Sequence, residues 1–234
     1  MKNAFKFKQF EVDQTGCAMK INTDGVLLGA IVAQQNVTRI LDIGTGTGVI
    51  ALMLAQRFPD ALVDAVEIDN QAAFAARKNA LLSPFSDRLK VIHSGIAQYD
   101  CADRYDLIVS NPPYFVNDLK NPEHRKGIAR HTDSAFFEEM LLQVAEMLSK
   151  AGSFWFILPV KQAVNTIAIA AAYGLFASEV IHLHSDEHKP EIRQIVCLDY
   201  SGAETMHRNF YIYAGKGIYT DAYKFLLKDF FLAF

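Results

Sequence analysis

The chain has 234 residues, 51% of them hydrophobic, with 23 Lys and Arg against 26 Asp and Glu for a formal net charge of -3. That length and apolar content, with no Pro/Gly/Ser-rich linker, internal repeat or low-complexity tract, predict one domain over residues 1–234. Three scattered cysteines argue against a disulfide framework or zinc knuckle, and no apolar run reaches membrane-spanning length, so a cytoplasmic protein without membrane attachment is expected.

Residues 1–38 read as an amino-terminal extension, basic through Lys2, Lys6, Lys8 and Lys20. Next, Arg39-Ile40-Leu41-Asp42-Ile43 predicts a buried strand that runs into Gly44-Thr45-Gly46-Thr47-Gly48, with a helix over 48–57. The spacing is Gly-x-Gly-x-Gly, not the Gly-x-Gly-x-x-Gly of nicotinamide and flavin binders. Glycines there permit positive φ and close approach of a ligand to the backbone.

A strand over 62–68 follows, then a helix over 70–82. Glu67 near that strand's end, roughly 20 residues past the glycines, is placed to accept both hydroxyls of a ribose. Asp42, before the first glycine, would repel a pyrophosphate but favour a cationic amino-acid moiety, and the sulfonium and ammonium of S-adenosylmethionine fit that environment.

After a strand over 89–93, the strand over 105–110 ends in Asn111-Pro112-Pro113-Tyr114. An amide, two prolines and an aromatic ring at a strand mouth make a clamp for a flat group bearing an NH2. If the Asn111 side-chain oxygen and the Pro112 carbonyl each accept one N–H, the nitrogen lone pair turns toward an electrophile while Tyr114 stacks on the ring.

Lys120, Arg125, Lys126 and Arg130, with His124 and His131, form a basic segment beside the clamp, suited to RNA phosphates. Helices over 133–149 and 161–173 alternate with strands over 152–158, 178–184 and 192–200. His182, His184, Asp186 and His188 are read as a polar strand end, and no metal is expected. The aromatic segment Phe210 to Phe234 is expected to pack a core.

The order of glycine loop, Glu67 and clamp resembles class I S-adenosylmethionine-dependent methyltransferases with an amino-methylating Asn-Pro-Pro-Tyr motif. More narrowly, Phe5 to Phe10, Cys17 to Ala30, Tyr219 to Tyr223 and Lys228 to Phe230 resemble the bacterial tRNA1(Val) (adenine(37)-N6)-methyltransferase family. The alternating elements predict an α/β, Rossmann-like doubly wound sheet. The resemblance implies seven strands, mostly parallel with the last antiparallel, the final pair being Val180 to Leu183 and Ile192 to Tyr200.

The resemblance also implies methylation of the N6 amine of adenosine 37 in tRNA1(Val), with tRNA as the partner; separately, a monomer is the simplest expectation. Asn111, Pro112 and Tyr114 are the expected catalytic residues. Asp42, Gly44, Thr45, Gly46, Gly48, Glu67, Ile68, Ile96 and Asn111 are the expected cofactor-binding residues, and Lys20, Arg125, Lys126 and Arg130 are expected to bind substrate. One departure stands out: relatives place an acid after the third strand to accept the cofactor's adenine amine, whereas this chain has Ser94-Gly95-Ile96. A protein glutamine side chain and an adenine of DNA are alternative substrates for the same clamp.

Overall fold

The computed structural model describes residues 4–15, 17, 20–112 and 126–234, with side chains from residue 135 onward in the last stretch. A hairpin of β1 (Ala4–Lys6) and β2 (Glu11–Asp13) precedes α1 (Thr23–Ile31). The central elements follow as β3 (Arg39–Ile43), α2 (Val49–Arg57), β4 (Leu62–Glu67), α3 (Asn70–Leu82), β5 (Leu89–His93) and β6 (Tyr105–Ser110). Then come α4 (Lys126–Met147), β7 (Leu148–Leu158), α5 (Val160–Ala170), β8 (Phe176–His184), β9 (Glu191–Asp199) and β10 (Met206–Tyr211). A ribbon of β11 (Tyr213–Gly215) and β12 (Ile218–Tyr219) leads to α6 (Asp221–Leu227).

Eight strands form one sheet in the order β10-β8-β9-β7-β6-β3-β4-β5. β9 runs antiparallel to both its neighbours, β7 and β8, and the other pairs are parallel. The order reverses beside β3, which leads to β4 on one side and lies against β6 on the other. Ligands bind in the crevice outside the carboxyl ends of strands at such a switch point.

Strands covered on both faces read as continuous apolar runs, as β3 and β6 do. Alternate residues divide between two cores. Ile40, Leu107, Val109 and Trp155 pack with α1 and α2 on one face. Leu41, Ile108, Phe154 and Phe156 pack with α4 and α5 on the other.

Several elements go beyond the sequence expectation, among them α1, the amino-terminal hairpin and β10. In α1 the Asn22 side chain caps the helix by accepting Gly25 N–H, and every residue from Gly25 to Ile31 is buried. Burying Leu27 and Leu28 contributes about 1.5–3 kcal/mol each. A helix apolar on all sides has no 3.6-residue stripe, so periodicity does not announce it. The hairpin strands are only three residues long. β10 adds an eighth strand, parallel to β8 at the sheet edge, and its first four residues are exposed, so it lacks the apolar signal of an inner strand.

The closing segment packs largely as expected. Phe210, Ile212, Tyr223, Leu227 and Phe230 are buried, and the Tyr219 and Tyr223 rings stack at 4.6 Å, while Phe225 is exposed. That segment joins the amino terminus. Phe7 bridges to Phe231, Lys8 N–H donates to the Phe230 carbonyl at 2.8 Å, and Lys8 Nζ reaches the Lys228 and Phe234 carbonyls at 2.5 and 2.6 Å. Lys6 pairs with Glu11 at 3.1 Å. Both lysines thus have acceptors of the protein's own within reach while remaining at the surface.

Candidate active site

The loop after β3 holds Gly44, Gly46 and Gly48 at φ of 71°, 57° and 85°, a region that L side chains rarely adopt. A Cβ on Gly44 or Gly46 would meet nothing within 4 Å, so both leave open backbone surface, whereas one on Gly48 would lie 3.4 Å from Ala76. The loop is fixed from below. Gly44 and Thr45 N–H donate to the Val66 carbonyl at 2.8 and 3.1 Å, and Gly48 N–H to the Thr45 carbonyl at 2.9 Å.

Glu67, at the end of β4, is buried and holds both neighbouring loops. Its Oε2 accepts Gly46 N–H and its Oε1 accepts Asp69 N–H, each at 2.8 Å. Each carboxylate oxygen keeps a further lone pair. The side chain is thus oriented with accepting capacity to spare.

A cavity of about 450 Å³ opens over these strand ends. Of the expected site residues, Gly44, Gly46, Glu67, Ile68, Ile96, Asn111 and Pro112 line it. Ile68 is 72% exposed and Ile96 is buried, which gives apolar wall on the β4 and β5 side. Asn111 and Pro112 follow β6, whose end is tied to β3 by Ser110 Oγ donating to the Ile43 carbonyl at 3.0 Å. A Cβ on Gly25 would sit 3.4 Å from Asn111 Nδ2, so the first turn of α1 lies directly against the Asn111 amide.

Three expected cofactor residues stand behind this wall instead. Asp42 is fully buried. Its Oδ2 accepts from Thr45 Oγ1 at 2.6 Å and from Ala51 N–H at 3.1 Å, while its Oδ1 has no hydrogen-bond partner among the described residues. Burial pushes its carboxyl up to about 7, against the opposing pull of those two donors. Asp42 and the buried Thr45 therefore brace the loop against α2, and Gly48 caps that helix at left-handed φ; none of the three lines the cavity.

Other residues complete the wall without having been singled out by sequence. Cys17 comes from the extension, and burial, followed by the carboxylates of Asp13, Asp69 and Glu67, raises its thiol pKa, so it presents a neutral S–H. Gln98 follows β5, and Phe136 and Glu139 come from α4. No motif marks them, since only the fold brings α4 over the carboxyl ends of β3 and β6. Asn79 binds the extension to the glycine loop through Asp13 N–H, the Asp13 carbonyl and the Thr47 carbonyl at 2.9, 3.1 and 2.9 Å.

Lys20 is exposed and stays off the cavity wall. Pro113, Tyr114, Lys120 and Arg125 fall outside the described residues, and Lys126 and Arg130 are described only as backbone of α4. His182 spans Glu191 Oε1 at 2.6 Å and His207 Nδ1 at 3.0 Å, and His184 contacts the Lys189 carbonyl and Asn209. No group of three His, Cys, Asp or Glu suited to a metal occurs among the described residues.

Open glycine backbone, a buried carboxylate with free lone pairs, apolar walls and an amide at the rim are what a nucleoside bearing an amino-acid tail requires. This sheet with this crevice defines a class I S-adenosylmethionine-dependent methyltransferase. The family model of the methyltransferase small domain matches residues 17–179. A tRNA1(Val) (adenine(37)-N6)-methyltransferase of Pedobacter heparinus is 73% identical over 234 residues, covering 100% of both chains. One of Bacteroides thetaiotaomicron is 40% identical over 97% of each chain. The fold matches the crystal structure of a predicted O-methyltransferase from Agrobacterium tumefaciens with a TM-score of 0.68 at 20% identity, covering 88% of this chain and 96% of that one. The chain belongs to the tRNA1(Val) (adenine(37)-N6)-methyltransferase family.

Proposed function

We propose that this enzyme transfers a methyl group from S-adenosylmethionine to the N6 amine of adenosine 37 in tRNA1(Val). The observation that carries the reading is Asn111 at the rim of the same cavity whose floor is the open glycine loop and Glu67. Gly44 and Gly46 receive the amino-acid portion of the cofactor, Glu67 the ribose hydroxyls, and Ile68 and Ile96 flank the adenine. When bound, the cofactor supplies a methyl group activated by its sulfonium.

The protein's own contribution is orientation and charge. An adenine amine is a weak nucleophile because its lone pair is delocalised into the ring. Asn111 Oδ1 and the Pro112 carbonyl accept its two N–H bonds, hold the nitrogen in place and favour the positive charge that develops on it during transfer. One of these hydrogens leaves as a proton to solvent once the new N–C bond has formed, so no strong side-chain base is needed. Tyr114 stacks on the target base after it has left the anticodon-loop stack. Lys20, Arg125, Lys126 and Arg130 bind phosphates, and the enzyme works as a monomer in the cytoplasm.

Among the described residues no helix is long and apolar enough to cross a membrane. Tritiated methyl transfer to total RNA, total DNA and a ribosomal-factor preparation, with identification of the labelled nucleoside or amino acid, tests the reading. Label in N6-methyladenosine of tRNA is expected. Label in methylglutamine or in DNA would replace it with one of the alternative substrates of the clamp.

A further inference from the structure

Most of the cavity wall beside Ile68 and Ile96 is apolar, yet an adenine placed there carries a polar edge. That edge presents a donor, the exocyclic amine, next to an acceptor, a ring nitrogen. Left unmatched in a closed site, each would lose hydrogen bonds it makes in water.

Glu67 already serves two backbone N–H groups and, in the reading above, the ribose. Asp69 caps α3 by accepting Ala72 N–H at 2.8 Å. Ser94 Oγ donates to the Gly95 carbonyl at 2.9 Å. Gln98 is different: it lines the cavity, its side chain is exposed, and its carboxamide has no hydrogen bond to another described residue.

Its position is specific. A Cβ built on Gly95 would lie under 3.0 Å from Gln98 Oε1 and 3.3 Å from Ile68 Cδ1. The Gln98 amide therefore lies over Gly95 in the very space where a side chain at position 95 would begin, with Ile68 alongside. The turn Ile96–Gln98 brings it back, through Gln98 N–H donating to the Gly95 carbonyl at 3.1 Å. Glycine at 95 and glutamine three residues later act together: one vacates the space and the other fills it with an amide.

We propose that Gln98 reads the adenine of the cofactor, its carboxamide oxygen accepting from the exocyclic amine and its carboxamide nitrogen donating to the adjacent ring nitrogen. A glutamine amide matches the donor–acceptor edge of adenine as a bidentate pair. This rests on the cavity being the S-adenosylmethionine site. It explains how the chain dispenses with an acid after β5, since the acceptor comes from the next turn instead.

The test is calorimetric binding of S-adenosylhomocysteine, and of its analogue with purine in place of adenine, to the full chain. The wild type should prefer the amine-bearing ligand about tenfold, the value of one well-formed hydrogen bond at the strong end of the usual range. Gln98→Ala should bind S-adenosylhomocysteine about tenfold more weakly while keeping its affinity for the purine analogue within about threefold, so that the preference collapses. Gln98→Glu, which retains the acceptor, should restore the preference. A preference undiminished in Gln98→Ala, with Glu67→Ala still weakening both ligands, would overturn the role of Gln98 alone. Failure of the wild type to bind S-adenosylhomocysteine, or affinity untouched by Glu67→Ala, would overturn the placement of the cofactor and the role of Gln98 with it.

Discussion

At the amino-terminal side of the central strands, Arg39, Asp64 and Tyr105 meet in a closed network. Arg39 Nη2 pairs with Asp64 Oδ2 at 3.0 Å, Tyr105 Oη donates to the same oxygen at 2.8 Å, and the Tyr99 and Tyr105 hydroxyls share a bond of 2.6 Å. Asp103 takes the other arm of the guanidinium, and burial pushes the Tyr99 phenol up to about 12. At the carboxyl ends of the same strands, Glu67 and Asn111 face a cavity, and Glu67 is held by backbone N–H groups instead of a counter-charge. The contrast teaches how one sheet separates stability from function. Charges neutralised by each other have little left for a ligand, whereas a carboxylate oriented by backbone donors stays in place and still has lone pairs free.

The largest effect should come from the open end. Asn111→Ala is expected to slow methyl transfer about a hundredfold or more in single-turnover assays on an adenine-containing anticodon stem-loop, with cofactor affinity nearly unchanged. Near-normal turnover would mean that orientation of the amine lies elsewhere.

Glu67→Ala should weaken S-adenosylmethionine binding at least tenfold by calorimetry, since hydrogen bonds to a charged group are worth about 1.5–3 kcal/mol. The variant also releases Gly46 and Asp69 N–H, so both loops should exchange amide hydrogen faster. Unchanged affinity in a folded variant would move the ribose site away from β4.

Beneath the loop, Asp42 should couple stability to pH. Its carboxyl titrates near 3.8 when unfolded and about 7 when folded, so between these values the folded chain holds a proton that the unfolded chain releases. The stabilising contribution is therefore full below 3.8, declines as pH rises and is lost above about 7. Urea denaturation across this window should show the wild type losing about 1–3 kcal/mol relative to Asp42→Asn. Parallel curves would place the titrating group elsewhere.

The closed end should give the smallest effect and the cleanest separation. Tyr105→Phe removes a hydroxyl but leaves Asp64 paired with Arg39, so stability should fall by about 1 kcal/mol with rate and cofactor affinity unchanged. A change in catalysis would show that the two ends are not independent.

Legible in the sequence were the cavity-lining residues that local chemistry marks. Positive φ at Gly44 and Gly46, a carboxylate at the end of β4 and an amide at the end of β6 are each tied to a strand that its own apolar run announces. Other expected positions lie off the cavity wall. Asp42 shares a face of β3 with Ile40, the face α2 covers, and strand alternation turns it from the cavity toward Ala51 N–H. Cys17, Gln98 and Phe136 reach the cavity through tertiary placement, for which single-residue chemistry gives no sign. β10 escaped because its exposed polar residues carry no apolar pattern, and α1 because its apolar pattern has no polar side.

The bridge between Phe7 and Phe231, with Lys8 grasping the carbonyls of Lys228 and Phe234, also sets the order in which the molecule can be finished. These partners are 220 and 226 residues apart in the chain, so on the ribosome the first strands wait for the last turns before they can be secured. The same extension carries Cys17 to the cavity wall and is pinned to the glycine loop by Asn79. Translation therefore delivers β6 and Asn79 before residues 228–234, so the glycine-loop side of the extension can be pinned while its first strand still waits for its partner.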